Sequence, residues 1–362
     1  MLKFLHAADL HLDSPFAGLP PKQAAERRQE QRQMLADLSA LCIAQGCALL
    51  LLSGDLFDSE NAYPETVEAL CKALGDCGAQ VFIAPGNHDY LAGGSPYFCA
   101  PWPKNVRIFT GDRMECVYLP ELDCAVWGAG FRSPETGPIL PGFRVTDESV
   151  WNLGVLHGDA ANPHSPYNCV SPADVAASGL DYLALGHIHK AGGPFTAGKT
   201  VYAWPGTPMG RGFDETGEKG VLLGTLDESG VKLEFLPIPG RRYEILDVPV
   251  GDDALSAVLT ALPPDTSEDI YRIRLTGESD PPDLRALYES LKARFFALTL
   301  RDCTVPRADL WAAAGEDTLR GQFLSALRAK LETAGEAEKA IILQAARLGL
   351  DAMRGGEERF DR

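Results

Sequence analysis

The sequence predicts a layered α/β core followed by a small α+β domain and a helical C-terminal region. Over roughly the first two hundred residues, short apolar runs of strand character alternate with segments of helical periodicity. From Arg242 the order becomes strand, helix, strand, helix, strand, and after Pro306 the pattern is helical. We therefore expect a core domain over residues 1–240, an α+β cap domain over 241–305 and a helical region over 306–362.

The core elements follow from apolar runs and from the residues that begin and end helices. A first helix begins at Pro20-Pro21 and stops at Gly46, and a second follows Pro64, because proline suits the first helical turn and glycine ends helices. Predicted strands cover residues 2–7, 48–52, 80–84, 124–128, 151–156, 181–185 and 200–203, with a hairpin of 222–225 and 231–235 around Gly230.

The remaining elements belong to the cap and the tail. In the cap we expect strands at 243–248, 270–275 and 296–303 and helices at 252–262 and 282–294. In the tail, apolar residues fall into two stripes at helical spacing: Leu319, Phe323, Leu327 and Leu331, then Ile341, Ala345 and Leu348. Such stripes either complete the protein's own core or fit a groove on a partner.

Composition narrows the class of protein. Hydrophobic residues make up 45% and charged residues 23% of the chain, values of soluble globular proteins, and no apolar run is long enough to span a bilayer. The first residues reach His6 and Asp9 before an export signal could form, so we expect a cytoplasmic protein without membrane association. Nine cysteines without a C-x-x-C pair favour buried, reduced thiols over disulfides or a zinc site.

The net charge of −17 gives no global attraction to nucleic acid. Any contact with DNA must therefore be local, assisted by metal ions or helped by a partner.

Five short motifs lie at or just after the ends of predicted strands, where ligand sites collect in α/β folds. They are Asp9-Leu10-His11, Gly54-Asp55-Leu56-Phe57-Asp58, Gly86-Asn87-His88-Asp89, His157-Gly158 and Gly186-His187-Ile188-His189. Residues i and i+2 of an extended segment point the same way, so Asp9 with His11 and His187 with His189 can each place two ligands together. Each motif alone is weak, and a lone buried histidine is more often a core residue than a ligand.

Together the motifs offer nitrogen and oxygen ligands without thiolate, which favours manganese, iron or zinc over a structural cysteine site, and of these we expect manganese. One ion cannot use seven protein ligands and still admit substrate, whereas two can. Two ions about 3.5–4 Å apart that share a carboxylate are used for in-line displacement at phosphorus, with a water as nucleophile. Phosphoryl transfer is the reaction that this set of residues predicts.

The five motifs, in this order, resemble the calcineurin-like metallophosphoesterase superfamily, over Asp9 to His189. The opening from His6 to Leu12 is more narrowly similar to the SbcD and YhaO branch of DNA repair exonucleases, as is the segment from Trp204 to Pro208 followed by Gly217-Glu218-Lys219-Gly220. The resemblance implies a β-sandwich flanked by helices as the core, and two-metal hydrolysis of DNA phosphodiesters as the activity.

The resemblance also implies a role for each motif residue. Asp9, His11, Asp55 and His189 would hold one ion, and Asp55, Asn87, His157 and His187 the other, with Asp55 as the bridge. His88 matches a histidine that protonates the leaving oxygen or steadies the transition state, and Asp58 the carboxylate that orients it. A positioned acid contributes about 10²–10⁴ in rate. Some relatives have histidine where this chain has Asp58, so the route of the proton stays open.

Other polar residues have plainer interpretations. His6 is expected to be a hydrogen-bonded core residue and His164 an exposed one, while Asp89 either supports the site or caps a turn. Arg27, Arg28 and Arg32 are expected on the wet face of a helix. Arg211 is interpreted as a solvated loop residue, with phosphate contact as the alternative.

Three functions compete. The first is a DNA nuclease, the second a phosphodiesterase for nucleotides or small phosphodiesters, and the third a docking adaptor with weak catalysis. In the resembling branch the cap flanks the DNA path and the C-terminal region engages an SMC-like ATPase of the SbcC type, so we expect DNA and such an ATPase as partners, and we also consider a homodimer. Because all ligand positions are filled, the adaptor is the least favoured.

Overall fold

The structure is a computed structural model that describes residues 1–59, 61–251, 253–279, 282–305 and 310–353. The predicted helix start at residue 252, and residues 306–309 and 354–362 of the predicted tail, fall outside the described residues.

The strands are β1 (Leu2–Ala7), β2 (Leu49–Leu52), β3 (Gln80–Ile83), β4 (Val106–Ile108), β5 (Glu115–Leu119), β6 (Cys124–Gly128), β7 (Trp151–His157), β8 (Tyr182–Gly186), β9 (Gly192–Ala197), β10 (Thr200–Trp204), β11 (Gly220–Asp227), β12 (Gly230–Pro237), β13 (Tyr243–Pro249), β14 (Ile270–Thr276) and β15 (Ala297–Asp302). The helices are α1 (Pro21–Gln45), α2 (Pro64–Asp76), α3 (Pro96–Cys99), α4 (Pro172–Ser178), α5 (Ala254–Ala261), α6 (Leu284–Leu291), α7 (Leu319–Thr333) and α8 (Glu336–Met353), with 3₁₀ turns at Pro120–Leu122 and Lys292–Arg294.

Two six-stranded sheets form the core. Their strand orders are β12-β11-β1-β2-β3-β4 and β5-β6-β7-β8-β10-β9. In the first sheet β1, β2, β3 and β4 run parallel, and β11 and β12 extend it in antiparallel pairing beside β1. In the second sheet β6, β7, β8 and β10 run parallel, and the edge strands β5 and β9 pair antiparallel. The parallel strands read as continuous apolar runs, of which Leu49–Leu52 is the clearest, because both of their faces are covered.

The two sheets pack face to face with helices outside them. Phe4 and Phe82 of the first sheet share one buried cluster with Val155 and Tyr182 of the second. The outer face of the first sheet packs against α1 and α2, and that of the second against Val175 of α4. Burying each such side chain contributes about 1.5–3 kcal/mol. The predicted layered α/β core, a β-sandwich flanked by helices, is confirmed.

Helix α1 begins and ends where its sequence predicts. Pro21 stands in its first turn, and Gly46 ends it in the left-handed region, its N–H donating to carbonyls of the last turn. One prediction for this helix is wrong, because Arg27 is fully buried. Its guanidinium donates to Glu30 and, at 2.9 Å, to the carbonyl of Gly210, and it lies over the Phe16 ring. These contacts hold the Arg27 side chain in the interior, although the helical pattern predicted a solvent-exposed position.

The chain divides into two compact units. The first comprises Met1–Leu246, Pro263–Arg272 and Leu291–Thr299, and the second Asp247–Leu262, Ile273–Ser290 and Leu300–Arg362. Strands β13, β14 and β15 form a three-stranded sheet in that order. The predicted boundaries at residues 240 and 305 stay a prediction.

The predicted helical tail is present as the pair α7 and α8. Leu324, Ala346 and Leu350 form the centre of a small buried cluster between them. By contrast, the side chains of Leu319, Ile341 and Leu348 are 77%, 67% and 64% exposed. The second predicted stripe is therefore mainly the outer face of α8 and not the face that packs on α7.

The burial of the cysteines and the character of the helices can be compared with the predictions from composition. Cys42, Cys47, Cys71, Cys77 and Cys124 are buried, as expected of reduced thiols, whereas Cys99, Cys116 and Cys303 are exposed. Within the described part of the chain, none of the helices combines the length and the apolar character needed to cross a bilayer.

Candidate metal centre

The five predicted motifs meet at one edge of the sandwich. Strands β1, β2 and β3 are parallel neighbours in one sheet, and β7 and β8 in the other, so their carboxyl ends lie on the same side. Each motif follows or completes one of these strands. The topology thereby brings together all seven predicted ligands, together with Asp58 and His88.

The loops that carry the motifs are tied to one another by the backbone. The N–H groups of Asp9 and His11 donate to the carbonyls of Gly54 and Asp55 at 3.0 and 2.9 Å. A side chain at Gly54, whose φ is +86°, would collide with the His157 ring, which explains the glycine before Asp55.

Several site residues have a backbone conformation that side chains disfavour. Asp9, His11, Asp55 and His187 have φ values of +54°, +41°, +50° and +95°. Non-glycine residues in this region are uncommon, and each costs about 1–3 kcal/mol unless the surroundings hold it in place. The hydrogen bonds between the loops provide that support.

The first group of converging side chains contains Asp9, His11 and His189, whose potential ligand atoms lie within 4.8 Å of one another. Nε2 of His11 is 3.2 Å from Nε2 of His189. Nδ1 of His11 lies 3.1 Å from Oδ1 of Asp58, and Nδ1 of His189 lies 2.8 Å from Oε1 of Glu215. A proton held at each Nδ1, beside these carboxylates, would leave both Nε2 lone pairs available to one ion.

The second group contains Asn87, His157 and His187. Oδ1 of Asn87 lies 2.8 Å from Nε2 of His157 and 3.2 Å from Nδ1 of His187. Nδ1 of His157 is 3.0 Å from the Ser53 carbonyl oxygen, which directs Nε2 towards the site. Oδ2 of Asp55 stands between the two groups, 3.7 Å from Nε2 of His11 and 3.5 Å from Nε2 of His157. This is the position that a bridging carboxylate needs.

The protonation states fit divalent cations. Burial lowers the pKa of His11 to about 4, and burial together with His157 lowers the pKa of His187 to about 4, so both are neutral near pH 7, the form that binds metals. Burial and the neighbouring Asp55 raise the pKa of Asp9 well above its usual range. Two enclosed carboxylates beside neutral imidazoles call for a positive charge between them. The individual ligand assignments stay a prediction.

His88 lies beside the backbone carbonyl of Asp58, whereas the Asp58 carboxylate lies beside His11 and Arg211. The side chain of His88 is exposed, and its Nδ1 lies 3.2 Å from the backbone carbonyl oxygen of Asp58. The Asp58 carboxylate lies beside His11 and is 2.9 Å from Nη1 of Arg211. His88 is therefore open to a substrate at the rim of the site, and its predicted catalytic role stays a prediction.

Asp89, left open between two roles, joins two of the site loops. Its carboxylate accepts hydrogen bonds from the N–H of Gly86 at 2.8 Å and of Leu56 at 2.7 Å, and from the Tyr97 hydroxyl. Asp89 is fully enclosed. It supports the geometry of the loops that carry Asp55 and Asn87.

Two residues near the site were missed or misjudged in the sequence. Arg211 is half-buried and contacts Asp58, His189 and Glu215, so its interpretation as a solvated loop residue is wrong. The sequence motifs give no indication of Glu215, which is buried and contacts His189. Burial acts to raise the pKa of Glu215, but its contacts with His189 and Arg211 outweigh burial and lower the pKa to about 2. The only sequence signal was the segment after Trp204 that resembles the end of the nuclease core.

The plainer interpretations of two histidines are correct. His6 is fully buried, with Nδ1 2.8 Å from the Tyr182 hydroxyl and Nε2 3.1 Å from the Ser53 hydroxyl. His164 is exposed.

Comparison with known proteins gives one family and a few relatives. Residues 2–191 match the family described as calcineurin-like phosphoesterase. The chain is 30% identical over 257 residues to the uncharacterized metallophosphoesterase YhaO of Bacillus subtilis (strain 168), an alignment of 68% of this chain and 61% of that protein. It is 32% identical over 93 residues to the SbcD subunit of the nuclease SbcCD from Rhodobacter capsulatus, which covers 24% of this chain and 22% of that protein.

The chain thus spans less than two thirds of the length of either curated relative. Among solved structures, TT1561 of Thermus thermophilus aligns with a TM-score of 0.42 and 13% identity, over 66% of this chain and 99% of that one. No functional conclusion follows from so distant a likeness.

Proposed function

The chain belongs to the calcineurin-like phosphoesterase family, and from that premise we propose that it is a two-metal nuclease that hydrolyses DNA phosphodiesters from the ends of the strand, as an SbcD-like repair exonuclease does. The observation that carries the proposal is the position of Asp55 Oδ2 between His11 and His157, with one group of potential nitrogen and oxygen ligands on either side.

The proposed ligands assign specific tasks to this chain's residues. Asp9, His11 and His189 would hold one ion, Asn87, His157 and His187 the other, and Asp55 both. When bound, two divalent ions would supply Lewis-acid activation of the phosphate and a water nucleophile at neutral pH. Oxygen and nitrogen ligands without thiolate suit manganese, iron or zinc, and of these we propose manganese.

His88 is proposed as the proton donor to the leaving oxygen. Its exposure lets it reach a substrate at the rim, and no ligand atom is required of it. Without the ions, the enclosed carboxylates and the net charge of −17 would repel a phosphate backbone.

DNA as substrate is supported by the similarity to the SbcD subunit of the nuclease SbcCD over 93 residues. That relative is named as a subunit of a larger nuclease, and we propose an equivalent partner here, an SMC-like ATPase of the SbcC type. The exposed apolar side chains of Leu319, Ile341 and Leu348 on α7 and α8 are its proposed contact, at spacings used when helices fill grooves.

One experiment separates the nuclease from its rival, a phosphodiesterase for nucleotides or small phosphodiesters. The metal-stripped protein is incubated with manganese and with linear duplex DNA, single-stranded DNA, covalently closed circular DNA, a cyclic nucleotide and bis(p-nitrophenyl) phosphate. We expect metal-dependent loss of linear DNA while closed circles persist. Turnover of the cyclic nucleotide with intact DNA would make the rival correct, and cleavage of closed circles would replace the exonuclease by an endonuclease.

A further inference from the structure

Glu215 and Arg211 lie outside the five motifs yet contact the candidate metal centre. Oε1 of Glu215 is 2.8 Å from Nδ1 of His189 and 2.7 Å from Nη2 of Arg211. Nη1 of Arg211 is 2.9 Å from Oδ1 of Asp58, and that oxygen is 3.1 Å from Nδ1 of His11. Arg211 thus connects two carboxylates, each of which lies beside a different histidine of the first group.

From this chain of contacts we infer that Glu215 is a positioning residue for the ion site of Asp9, His11 and His189, and that Arg211 couples Glu215 to Asp58 so that both histidines face the same point. The inference rests on the proposed two-metal site and extends it to residues beyond its ligands.

The chemistry of each contact supports the assignment. Arg211 can only donate hydrogen bonds, so an N–H at Nδ1 of His189 has Glu215 as its acceptor, although Nη2 of Arg211 is also 3.1 Å from that nitrogen. A proton held at Nδ1 leaves Nε2 free as a ligand, and the negative charge of the carboxylate makes that nitrogen more basic. Arg211 in turn offsets the two carboxylate charges, which would otherwise repel each other.

The surrounding loop shows how Glu215 is itself held. Its Oε2 accepts a hydrogen bond from the backbone N–H of Arg211 at 2.8 Å, and the Glu215 N–H donates to the Gly212 carbonyl at 3.1 Å. These bonds close the turn between the two residues. Glu215 is 4% exposed, so its carboxylate is shielded from water, whereas the side chain of His189 is 31% exposed.

The second ion site provides an internal reference, because Nδ1 of its His157 lies against a backbone carbonyl and not against Glu215. Loss of Glu215 should therefore weaken one site and spare the other. A loop that merely lost stability would affect both sites alike.

The test compares Glu215→Gln and Glu215→Leu with Glu218→Gln, a matched control at an exposed position of the same segment. Manganese binding to the metal-stripped full-length protein is followed by calorimetry, and bound metal is counted by elemental analysis. In Glu215→Leu we expect one of two ions to bind about 10–100-fold more weakly while the other is unchanged. Glu215→Gln keeps a hydrogen-bond acceptor but loses the charge, so its affinity for that ion should lie between those of Glu215→Leu and the wild type. Glu218→Gln should bind both ions with wild-type affinity.

A second measurement does not depend on metal. Nitrogen-15 NMR of the metal-free protein reports which nitrogen of His189 carries the proton, and we expect Nδ1–H in the wild type and a mixture of both tautomers in Glu215→Leu. Should Glu215→Leu fail to fold, the same measurements on Glu215→Gln decide. The inference would be overturned by any of three results in the Glu215→Leu variant: two ions bound at wild-type affinity, equal weakening of both sites, or an unchanged His189 tautomer. A wild-type protein that binds both ions but leaves DNA intact would instead refute the proposed function alone.

Discussion

Nε2 of His11 lies 3.2 Å from Nε2 of His189, although the two residues are 178 positions apart in the chain. A carboxylate oxygen lies near each Nδ1, and a proton held at both Nδ1 atoms would leave a lone pair on each of the facing nitrogens. Two lone pairs at this distance repel each other unless a cation or a proton lies between them. In that tautomer a metal ion between the two nitrogens would remove the repulsion, and several predictions test the proposed metal site.

Asp55→Asn should remove at least one ion and lower hydrolysis by at least about a hundredfold, because the neutral amide loses the charge that two ions would share. The fold should persist, since the change also removes repulsion between Asp55 and Asp9. Elemental analysis, activity and thermal unfolding measure the three effects. Asp76→Asn, at an exposed position on α2, is the control. Two bound ions with full activity would refute the bridging role.

His88→Ala should keep both ions but lose about 10²–10⁴ in the hydrolysis rate, because no proposed ligand is removed while the proposed acid is lost. His164→Ala replaces another exposed histidine and should change neither quantity. Loss of metal from the His88 variant would instead make His88 a ligand.

Asp89→Ala should destabilise the protein by about 3–5 kcal/mol, because the enclosed N–H groups of Gly86 and Leu56 each lose their acceptor at a cost of about 1–3 kcal/mol. Tyr97→Phe removes only one hydroxyl donor to the same carboxylate and should cost about 1 kcal/mol. Chemical unfolding of the metal-free proteins measures both. Equal losses in the two variants would show that the carboxylate does not join the loops.

His6 should make the stability depend on pH. Burial lowers the pKa of His6 to about 3, so between that value and the ordinary pKa of about 6.5 the unfolded chain binds the extra proton. The free energy of unfolding should thus rise with pH across this window, by up to about 1.4 kcal/mol per pH unit. Above the window, the full stabilisation from a neutral, buried His6 is present. His6→Gln should show a correspondingly flatter profile in unfolding experiments between pH 4 and 7. Parallel profiles would mean that His6 has the same pKa in the folded and the unfolded protein.

The exposed face of α8 should bind the proposed ATPase. Ile341→Glu combined with Leu348→Glu in the full chain should abolish co-purification with a co-expressed SbcC-type ATPase and leave hydrolysis of a small phosphodiester unchanged. Leu259→Glu alters an exposed apolar residue of α5 and should have no effect. Truncation after Val305 should give the same result as the double variant. Unfolding of the truncated protein, or an unaffected complex, would refute the docking proposal.

The sequence predicted the core elements and the meeting of the motifs because both depend on local signals. Apolar runs such as Leu49–Leu52, the proline at the start of α1 and Gly46 at its end each act within a few residues. The motifs follow parallel strands, so their meeting required only the fold class. Arg27 and Glu215 were misjudged or missed for the opposite reason. Their partners, Gly210 and His189, lie far away in the chain, and periodicity carries no signal for such pairs.

The left-handed backbone at Asp9, His11, Asp55 and His187 sets a direction for engineering. Glycine would accept these conformations without steric cost, so replacing such residues by glycine would relieve backbone strain at the same time as it removes a proposed metal ligand. Selection for thermal stability alone would therefore favour stable variants that lack the proposed metal site. A search for hardier variants of this protein should hold these four positions fixed and take its gains from the outer helices.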